Sequence, residues 1–284
     1  MDDRLIQLIV DEVVRQLGRG VGATPADTVP EAEPLDITSP EARAASLLAD
    51  PASPDALERM RKRTTARIGV GRAGPRLNTR TMLTLRADHA QARDAVFSTI
   101  DPKFIESLGL MTVRTMCADK QTFITRPDLG RRLSPESEKL ILEKCVHDPD
   151  VQIYAADGLS TTAIRANLDR ILPILIETLT SSGLKVGTPF YMEYGRVAAE
   201  DRVAELLGAK VVCVLIGERP GLATASSMSA YIAYNAHVGM PEARRTVVSN
   251  IHKDGLNAIE AGAYIAEVIK KIYEQKASGI ELVK

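Results

Sequence analysis

The stretch Val211-Val-Cys-Val-Leu-Ile216 decides the fold. An unbroken apolar run rich in β-branched residues is typical of a central parallel strand that helices cover on both faces. Residues 199–207, just before it, have a helical pattern, and Gly208 is the residue type favoured directly beyond a helix C-terminus. A helix that leads into a strand buried on both faces predicts an α/β protein.

Outward from this strand, short β-type runs continue to alternate with helical segments. Ser134 and Pro135 open one of these helices, as an N-cap followed by proline at the first helical position. This alternation is typical of βαβ units that form a parallel sheet. The predicted strands are residues 151–156, 190–194 and 246–251, and the predicted helices are residues 134–146, 161–180 and 257–277.

The N-terminal residues have a different character. Residues 3–17 place apolar side chains on one face and polar ones on the other, which predicts an amphipathic helix. The following residues, up to about 38, hold three prolines among small and acidic residues and cannot bury enough apolar surface to fold. A helix on such a tether suits docking to another molecule, and the alternative is that it packs on its own subunit.

Residues 41–100 are predicted to be helical with breaks, and one break matches the pattern GxGxxG at Gly69–Gly74. A dinucleotide-binding fingerprint needs an apolar strand before the glycines and a helix that opens within them. Here basic residues precede the glycines and Pro75 follows them directly. We therefore interpret the segment as a tight loop.

Charge and hydropathy exclude several classes of protein. A net charge of −1 argues against general attraction to nucleic acid. No apolar run approaches the roughly 20 residues that cross a bilayer, and the N-terminus lacks the pattern of a secretory signal. The sequence predicts a cytoplasmic protein that binds neither nucleic acid nor membrane.

The cysteines and histidines are too scattered to indicate a metal site. Cys117, Cys145 and Cys213 form no CxxC pair, so we expect buried thiols rather than disulfides or zinc ligands. The four histidines show no ligand spacing either. No protein-bound metal is predicted.

Residues 59–86 carry nine basic side chains and no acidic one. The stretch has no aromatic residue that could stack on bases, which disfavours single-stranded nucleic acid as the partner. Two interpretations remain open, a solvated basic face and a contact with an acidic partner surface.

Candidate binding residues follow the predicted strands, because ligands of open parallel sheets bind at the loops beyond the carboxyl ends of the strands. Three loops begin at Asp157, Gly195 and Gly217. Glu218 comes directly after the apolar run at 211–216, where its carboxylate could accept from amide N–H groups. The alternative for Glu218 is a salt bridge to Arg196 or Arg219.

No catalytic pattern accompanies these loops. A Walker loop, a GxSxG elbow and a paired histidine–cysteine arrangement are all absent from the sequence. The residues therefore predict a small-molecule site on a chain that binds rather than catalyses.

A string of motifs over residues 55–284 resembles the light chain of ethanolamine ammonia-lyase. The resemblance is specific because the motifs occur jointly and in order, although each alone is modest. They are Gly71-Arg-Ala-Gly-Pro-Arg76, Leu85-Arg-Ala-Asp-His-Ala90, Thr125-Arg-Pro-Asp-Leu-Gly-Arg-Arg-Leu133, Asp157-Gly-Leu-Ser-Thr161, Gly183-Leu-Lys-Val-Gly-Thr-Pro-Phe190, Tyr194-Gly-Arg-Val197, Gly217-Glu-Arg-Pro-Gly-Leu222, Ser249-Asn-Ile-His252 and Glu274-Gln-Lys-Ala-Ser-Gly-Ile280.

The resemblance implies a subunit of a carbon–nitrogen lyase that is inactive alone. The enzyme of this family converts ethanolamine to acetaldehyde and ammonia by radical chemistry that starts from adenosylcobalamin. A large subunit holds the substrate and most reacting groups, and the corrin ring lies between the two chains. The implied locations are the cytoplasm and the interior of a bacterial microcompartment, to whose shell proteins the helix at 3–17 would deliver the chain.

The resemblance also implies which residues contact cobalamin. The positions that match the family are Val197, Glu218 and Val247, with Arg196 as a neighbouring candidate. Family members can have cysteine at the position of Val247, so this chain departs from the pattern there. The cobalt-ligating pattern Asp-x-His-x-x-Gly is absent, and we therefore expect the cofactor to keep its own dimethylbenzimidazole as lower ligand.

With the resemblance, four regions are predicted. They are an amphipathic helix at residues 1–18, a disordered linker at 19–40, a helical region at 41–100 and a Rossmann-like cobalamin-binding domain at 101–284. Two other functions stay open, a nucleotide-dependent oxidoreductase that uses Gly69–Gly74 and a non-catalytic interaction protein.

Overall fold

The computed structural model describes residues 39–64 and 66–283. The predicted helix at 3–17 and the predicted linker up to residue 38 lie outside the described residues. The chain divides into two compact units, residues 1–45 and residues 46–284. The described part of the first unit holds one short helix, α1 (Pro40–Ala44), whose N-cap Ser39 accepts from the backbone N–H of Ala42 at 3.1 Å.

The second unit contains a six-stranded sheet with helices on both faces. Its helices are α2 (Pro54–Arg61), α3 (Thr79–Phe97), α4 (Pro102–Ser107), α5 (Lys120–Thr125), α6 (Pro135–Lys144), α7 (Thr161–Ser181), α8 (Ala199–Leu207) and α9 (Ala258–Gln275). The six strands of this sheet are β3 (Met111–Arg114), β4 (Val151–Ala156), β5 (Phe190–Glu193), β6 (Val211–Gly217), β7 (Met228–Tyr234) and β8 (Thr246–Ile251). Two short strands, β1 (Arg72–Ala73) and β2 (Arg76–Leu77), form a separate two-stranded sheet. The predicted α/β class is confirmed.

The strand order in the sheet is β3-β5-β4-β6-β7-β8, and the first four strands are parallel. β7 runs antiparallel to both β6 and β8, so the prediction of an all-parallel sheet is wrong at this edge. Only residues 218–227 lie between β6 and β7, fewer than a parallel crossover requires. The chain therefore turns back on itself, and sequence reasoning did not detect β7 or the edge strand β3.

The two central strands explain why the run at 211–216 is uniformly apolar. Every residue of β4 and of β6 is buried. One face of the sheet packs on α7 and α9 through residues such as Ile153, Leu215 and Ile265. The other face packs on α6 and α8 through residues such as Val214 and Val203. Each strand residue thus meets a helix layer whichever way its side chain points.

The order of the strands creates a switch point at the carboxyl ends of β4 and β6. From β4 the chain passes through α7 to β5 on one side, whereas β6 lies on the other side of β4 and leads away to β7. Ligands of open α/β sheets bind where neighbouring strands diverge in this way. The fold therefore directs attention to the loops after β4, β5 and β6.

The segment Gly69–Gly74, predicted to be a tight loop, leads into a tight hairpin of residues 72–77. β1 and β2 pair antiparallel, and Gly74 adopts a left-handed conformation with φ of 59°. No strand leads into these glycines in the part of the chain that the structure describes. The geometry needed for a dinucleotide fingerprint is not present there.

All three cysteines are free and buried, which confirms that expectation. Among the helices described, none has both the length and the apolar character to cross a membrane.

Candidate functional site

The loops after β4 and β6 are joined by hydrogen bonds. The N–H of Leu159 donates to the carbonyl of Gly217 at 3.1 Å. The hydroxyl groups of Ser160 and Thr162 both donate to the carbonyl of Ala225, at 2.5 and 2.7 Å. Two of the three loops predicted from the sequence thus form one structure at the switch point.

Two glycines make this contact possible. A β-carbon on Gly217 would lie 2.1 Å from the carbonyl oxygen of Ser160 and 2.6 Å from that of Asp157. A β-carbon on Gly158 would lie 2.3 Å from the carbonyl oxygen of Gly217. Such distances are far inside van der Waals contact, so the two backbones can approach only where no side chain is present.

The third loop, after β5, packs against the end of β4. Tyr194 is left-handed, with φ of 59°, and its carbonyl accepts from the hydroxyl of Thr115 at 3.0 Å. A β-carbon on Gly195 would lie 2.9 Å from Cβ of Ala156. All three predicted loops therefore meet at one end of the sheet.

Arg196, a predicted binding residue in this loop, is held by α5 and not by Glu218. Its guanidinium donates to the carbonyl of Phe123 at 2.8 Å and lies 4.2 Å from the centre of the Phe123 ring. Its Nε–H is buried and has no hydrogen-bond partner among the described residues. Burial lowers the pKa of the Arg196 guanidinium, yet an arginine remains a cation at neutral pH.

Val197, the next residue, is half-buried and packs against the core between the sheet and the helices α6 and α8. It directly precedes the first turn of α8. Its position at the rim of this core leaves part of the residue exposed, while its carbonyl accepts from the N–H of Glu200 at 3.0 Å.

Glu218 lies directly after β6, and its carboxylate accepts from the hydroxyl of Tyr231 at 3.2 Å. Among the described residues it forms no ion pair with Arg196 or Arg219, so the alternative of a salt bridge is wrong. Burial, together with the charge of Glu218, raises the pKa of the Tyr231 phenol to about 12. Tyr231 therefore stays a hydrogen-bond donor to this carboxylate throughout the physiological range.

Val247 lies on the same face of the sheet as Tyr231. In the register of the sheet, Tyr231 pairs with Val214 on one side and with Val247 on the other. Val247 is 45% exposed and lies on the edge strand β8, where three of the six residues are exposed. Tyr231 thus bridges two predicted site residues, Glu218 and Val247, and sequence reasoning missed it because nothing near it in the chain indicates this role.

The predicted residues form two groups, which are separated across the sheet. Arg196 and Val197 follow β5, whereas Glu218 follows β6 and Val247 lies near the start of β8, level with the middle of β6. In the sequence β6 follows β5, but in the sheet the two strands are not neighbours, because β4 lies between them. Four strand spacings separate β5 from β8, roughly 19 Å at about 4.8 Å each. The candidate site is therefore a broad surface and not a compact pocket.

A buried ion pair that the sequence did not predict lies beneath the loops. The ammonium of Lys120, from α5, donates to the carbonyl of Gly158 at 3.2 Å and lies 3.6 Å from the carboxylate of Asp157. Burial raises the pKa of Asp157 to about 6, although the Lys120 charge opposes the shift. Burial also lowers the pKa of Lys120. The two contacts of the Lys120 ammonium, with Asp157 and with the carbonyl of Gly158, hold the loop after β4 in place.

Comparison with known proteins identifies the family. A family model of the ethanolamine ammonia-lyase light chain matches residues 54–283. The ethanolamine ammonia-lyase small subunit of Clostridium tetani is 50% identical over 285 residues, 98% of this chain and 97% of the relative. The protein of that name from Fusobacterium nucleatum is 54% identical over 247 residues, 87% of this chain and 84% of the relative. The one from Clostridium perfringens is 51% identical over 274 residues, 96% of this chain and 91% of the relative.

The chain belongs to the ethanolamine ammonia-lyase light-chain family. The match spans the sheet, the three loops and the basic stretch, so the identification made from the string of motifs is confirmed. Several of those motifs now have a structural account. Asp157-Gly-Leu-Ser160 and Gly217-Glu218 are the two backbones in close contact, and Tyr194-Gly-Arg-Val197 is the loop that packs beside them.

In this family member, a buried ionic cluster lies behind the two groups of site residues. The guanidinium of Arg245 donates to Glu200 at 2.6 Å and to Asp201 at 2.8 and 3.1 Å. Glu200 and Asp201 begin α8, just after Val197, and Arg245 comes two residues before Val247. The cluster therefore ties the start of α8 to the start of β8 and sets the spacing between the two groups.

The described residues contain no group of three or more histidine, cysteine or acidic side chains placed to hold a metal ion. What the site does offer is a set of hydrogen-bonding groups of both kinds beside apolar contact surface. Glu218 provides an acceptor, Val197 and Val247 provide apolar contacts, and Arg196 has a buried donor without a partner among the described residues. Such a surface suits a large, uncharged ligand rich in amide groups.

Proposed function

We propose that this chain is the small subunit of an adenosylcobalamin-dependent ethanolamine ammonia-lyase, which converts ethanolamine to acetaldehyde and ammonia. In this proposal the chain holds one side of the cofactor, and a large subunit carries the reacting groups. The family match over residues 54–283 is the observation that carries the proposal. The relatives are called small subunits, which supports a hetero-oligomer with a large one.

The residues at the rim of the sheet fit the periphery of a corrin ring. That periphery bears amide side chains, which donate through N–H and accept through C=O. The Nε–H of Arg196 is buried and lacks a partner among the described residues, so it would donate to an amide carbonyl once cofactor binding uncovers it. The carboxylate of Glu218 is half-buried and, among the described residues, accepts from Tyr231, so it retains capacity to accept from an amide N–H. A buried polar group left unpaired costs about 1–3 kcal/mol, so a ligand that satisfied the Nε–H of Arg196 would gain from that contact.

The two valines would contribute apolar contact and backbone groups. Val247 stands where family members can have cysteine. The exposure of Val247 leaves it accessible to the ring without a change in the sheet. If the contact is made through the backbone, valine in place of cysteine costs little.

When bound, the cofactor supplies the radical by cleavage of its cobalt–carbon bond. This chain's own residues would bind and orient the ring and exclude water from one side of it. The sequence lacks the Asp-x-His-x-x-Gly pattern for a protein ligand to cobalt. We therefore propose that the cofactor keeps its own dimethylbenzimidazole as lower ligand.

The regional division belongs to the same proposal. Residues 101–284 would form the Rossmann-like cobalamin-binding domain, residues 41–100 a helical region, and residues 19–40 a linker.

The helix at residues 1–18 would deliver the chain to the shell proteins of a bacterial microcompartment where the source has one, and elsewhere the enzyme would work in the cytoplasm. Fusion of residues 1–20 to a fluorescent protein tests delivery: we expect foci in cells with shell proteins, and diffuse fluorescence in them would reject it.

Subunit exchange tests the assignment of function. We expect the chain to copurify with its large subunit, and ethanolamine turnover to require both chains together with adenosylcobalamin. Full turnover by this chain alone would refute the division of labour. Tight binding of NADH by the free chain, measured by fluorescence, would instead favour the nucleotide-dependent alternative.

Substitution of Glu218 tests the site. We expect Glu218→Ala to raise the apparent dissociation constant for cobalamin about tenfold, because a charged hydrogen bond contributes about 1.5–3 kcal/mol and part is regained from water. Subunit assembly, measured by gel filtration, should not change. Glu177→Ala is the matched control, since Glu177 is exposed on α7, which covers the opposite face of the sheet. An unchanged constant for Glu218→Ala would remove this residue from the site.

A further inference from the structure

The helix α3 buries very little of its own surface in this chain. It spans Thr79–Phe97, yet only four of its side chains are buried. These are Thr81, Asp88, Ala92 and Ala95, none of which is a large apolar residue. By contrast, the closing helix α9 buries three isoleucines besides smaller residues. Most helical stability in proteins comes from packing an apolar face. We therefore expect another molecule to cover the outward face of α3.

That outward face combines apolar and cationic side chains. Leu83, Arg86, Ala90, Arg93 and Phe97 recur at intervals of three and four residues and share one face of the helix. Leu83 is 54% exposed and Phe97 is 47% exposed. The guanidinium of Arg93 lies over the ring of Phe97, 5.8 Å from its centre. A surface groove runs along this face between Arg86 and Phe97.

The charge around this face is mainly positive, although the exposed Asp94 also lines the groove. Residues 59–86 hold nine of the 36 basic residues of the chain and none of its 37 acidic ones. Within the described residues, Lys62 pairs with Glu58 and Arg67 with Asp88, but Arg76, Arg80 and Arg86 have no acidic partner. Their positive charge is left for another molecule to neutralise.

The buried polar groups of α3 hold the neighbouring hairpin in place. The carboxylate of Asp88 accepts two hydrogen bonds from the guanidinium of Arg67, which precedes the hairpin. The hydroxyl of Thr81 accepts from the N–H of Gly71 at 3.1 Å. The N–H of Asn78 donates to the carbonyl of Gly71 at 3.0 Å. The hairpin of residues 72–77 and the helix α3, which we call the α3 platform, are thus held together as one unit. A surface arranged in advance loses less entropy when a partner binds.

We propose that the α3 platform is the docking surface for the large subunit, which meets it with a carboxylate-lined groove that receives Leu83 and Phe97. This inference rests on the proposed function, because it requires that a large subunit exists. The partner's carboxylates would pair with Arg76, Arg80 and Arg86, and its groove would cover the apolar stripe. Nucleic acid is disfavoured, since residues 72–97 offer a single Phe, Tyr or Trp side chain, that of Phe97, for base stacking.

The test measures association of the full-length chain with its purified large subunit. We expect Arg80→Glu/Arg86→Glu to raise the dissociation constant at least tenfold at about 50 mM salt, because two attractive contacts become repulsive. The dissociation constant should also depend less on salt than that of the unaltered chain. Leu83→Ser leaves the charge unchanged and should weaken association several-fold on its own. Circular dichroism and thermal unfolding establish that each variant is folded.

The matched control is Arg165→Glu/Arg170→Glu, the same charge change at two exposed positions of α7 that have no ion-pair partner among the described residues. We expect it to bind like the unaltered chain. Equal loss in the control, or an unchanged constant for both the Arg80/Arg86 and the Leu83 variants, overturns the inference. Two other outcomes also overturn the inference. One is that the free chain dimerises and the Arg80/Arg86 change abolishes the dimer. The other is that the free chain binds nucleic acid and the same change abolishes this binding. If the unaltered chain fails to bind any large subunit, the proposed function itself fails.

Discussion

At the scale of single residues, the site depends on two places where a side chain would not fit. The carbonyls of Ser160 and Asp157 occupy the space that a β-carbon on Gly217 would need. Glu218 follows directly, so the position of its carboxylate depends on this close approach. Because Gly217 has no side chain, the loop after β6 can lie directly against the loop after β4.

Gly217→Ala should therefore destabilise the protein by about 2–4 kcal/mol, since a methyl group 2.1 Å from a carbonyl oxygen forces the two backbones apart. Urea-induced unfolding measures this loss. Gly221→Ala, in the same loop, is the control, because its β-carbon would meet only the carbonyl of Thr224 at 3.9 Å. We expect the control to change stability by less than about 0.5 kcal/mol. Equal stability of the two variants would contradict the close packing described above.

Asp157 shows how a buried charge organises a loop at this scale. Its carboxylate is almost fully buried and is paired with Lys120, which comes from a separate helix. The ammonium also donates to the carbonyl of Gly158, the other glycine of the contact. One side chain thus fixes both the charge and the backbone at the end of the central strand.

At the scale of elements, the helices α7 and α9 form the layer on the face of the sheet opposite the candidate site. Gly262 of α9 lies against the backbone of α7, where its β-carbon would be 3.1 Å from the carbonyl oxygen of Ile171. Small residues at this crossing let the helices approach closely, and the isoleucines on either side then fill the core. The closeness of the two helices determines how tightly this layer covers the sheet.

Gly262→Val tests this crossing. Valine is a better helix former than glycine, yet we expect a loss of about 1–3 kcal/mol because the added atoms push α9 away from α7. Ala263→Val, one residue along and exposed, is the matched control. Thermal unfolding of both variants should show a lowered midpoint for Gly262→Val alone. A midpoint that rises for Gly262→Val would show that the crossing tolerates a larger side chain.

At the scale of the whole molecule, one buried cluster couples distant parts of the chain. The guanidinium of Arg245 pairs with the carboxyl groups of Glu200, Asp201 and Glu242, so one cation faces three acids. Burial raises the pKa of Glu200 to about 8, and the Arg245 charge opposes the shift without cancelling it. Removing Arg245 would leave the buried carboxyl groups of Glu200 and Asp201 without their cation, and breaking a buried ion pair in this way costs about 3–5 kcal/mol.

The raised pKa of Glu200 makes stability depend on pH. In the unfolded chain this carboxyl loses its proton near its usual value of 4.5, whereas in the folded protein it keeps the proton up to about pH 8. Its contribution is therefore fully present below about pH 4.5 and is lost as pH rises towards 8. Relative to Glu200→Gln, which cannot titrate, the unaltered protein should lose a few kcal/mol over this window at about 1.4 kcal/mol per pH unit at most.

Urea unfolding at pH 5, 6, 7 and 8 measures this dependence. Glu242→Gln is the control, because Glu242 also contacts Arg245 but its side chain is 69% exposed. We expect the slope of stability against pH to persist in Glu242→Gln and to flatten in Glu200→Gln. A slope that is the same in both variants would assign the titration to another group.

Much of this architecture could be predicted from the sequence, because the signals act over a few residues. The apolar runs of β4 and β6, the N-cap Ser134 and the C-terminal Gly208 determine their elements through local periodicity and capping. The same local rules placed Glu218 directly after a strand, and the joint string of motifs identified the family.

Only the tertiary structure decided how these elements meet. β4 lies between β5 and β6, and β7 turns back because its connection is short. Lys120 reaches Asp157, and Tyr231 joins Glu218 to Val247, through contacts between segments that are distant in sequence or on different strands. Local periodicity carries no information about sheet order or about which charge meets which, since these follow from the packing of the whole core around β4 and β6.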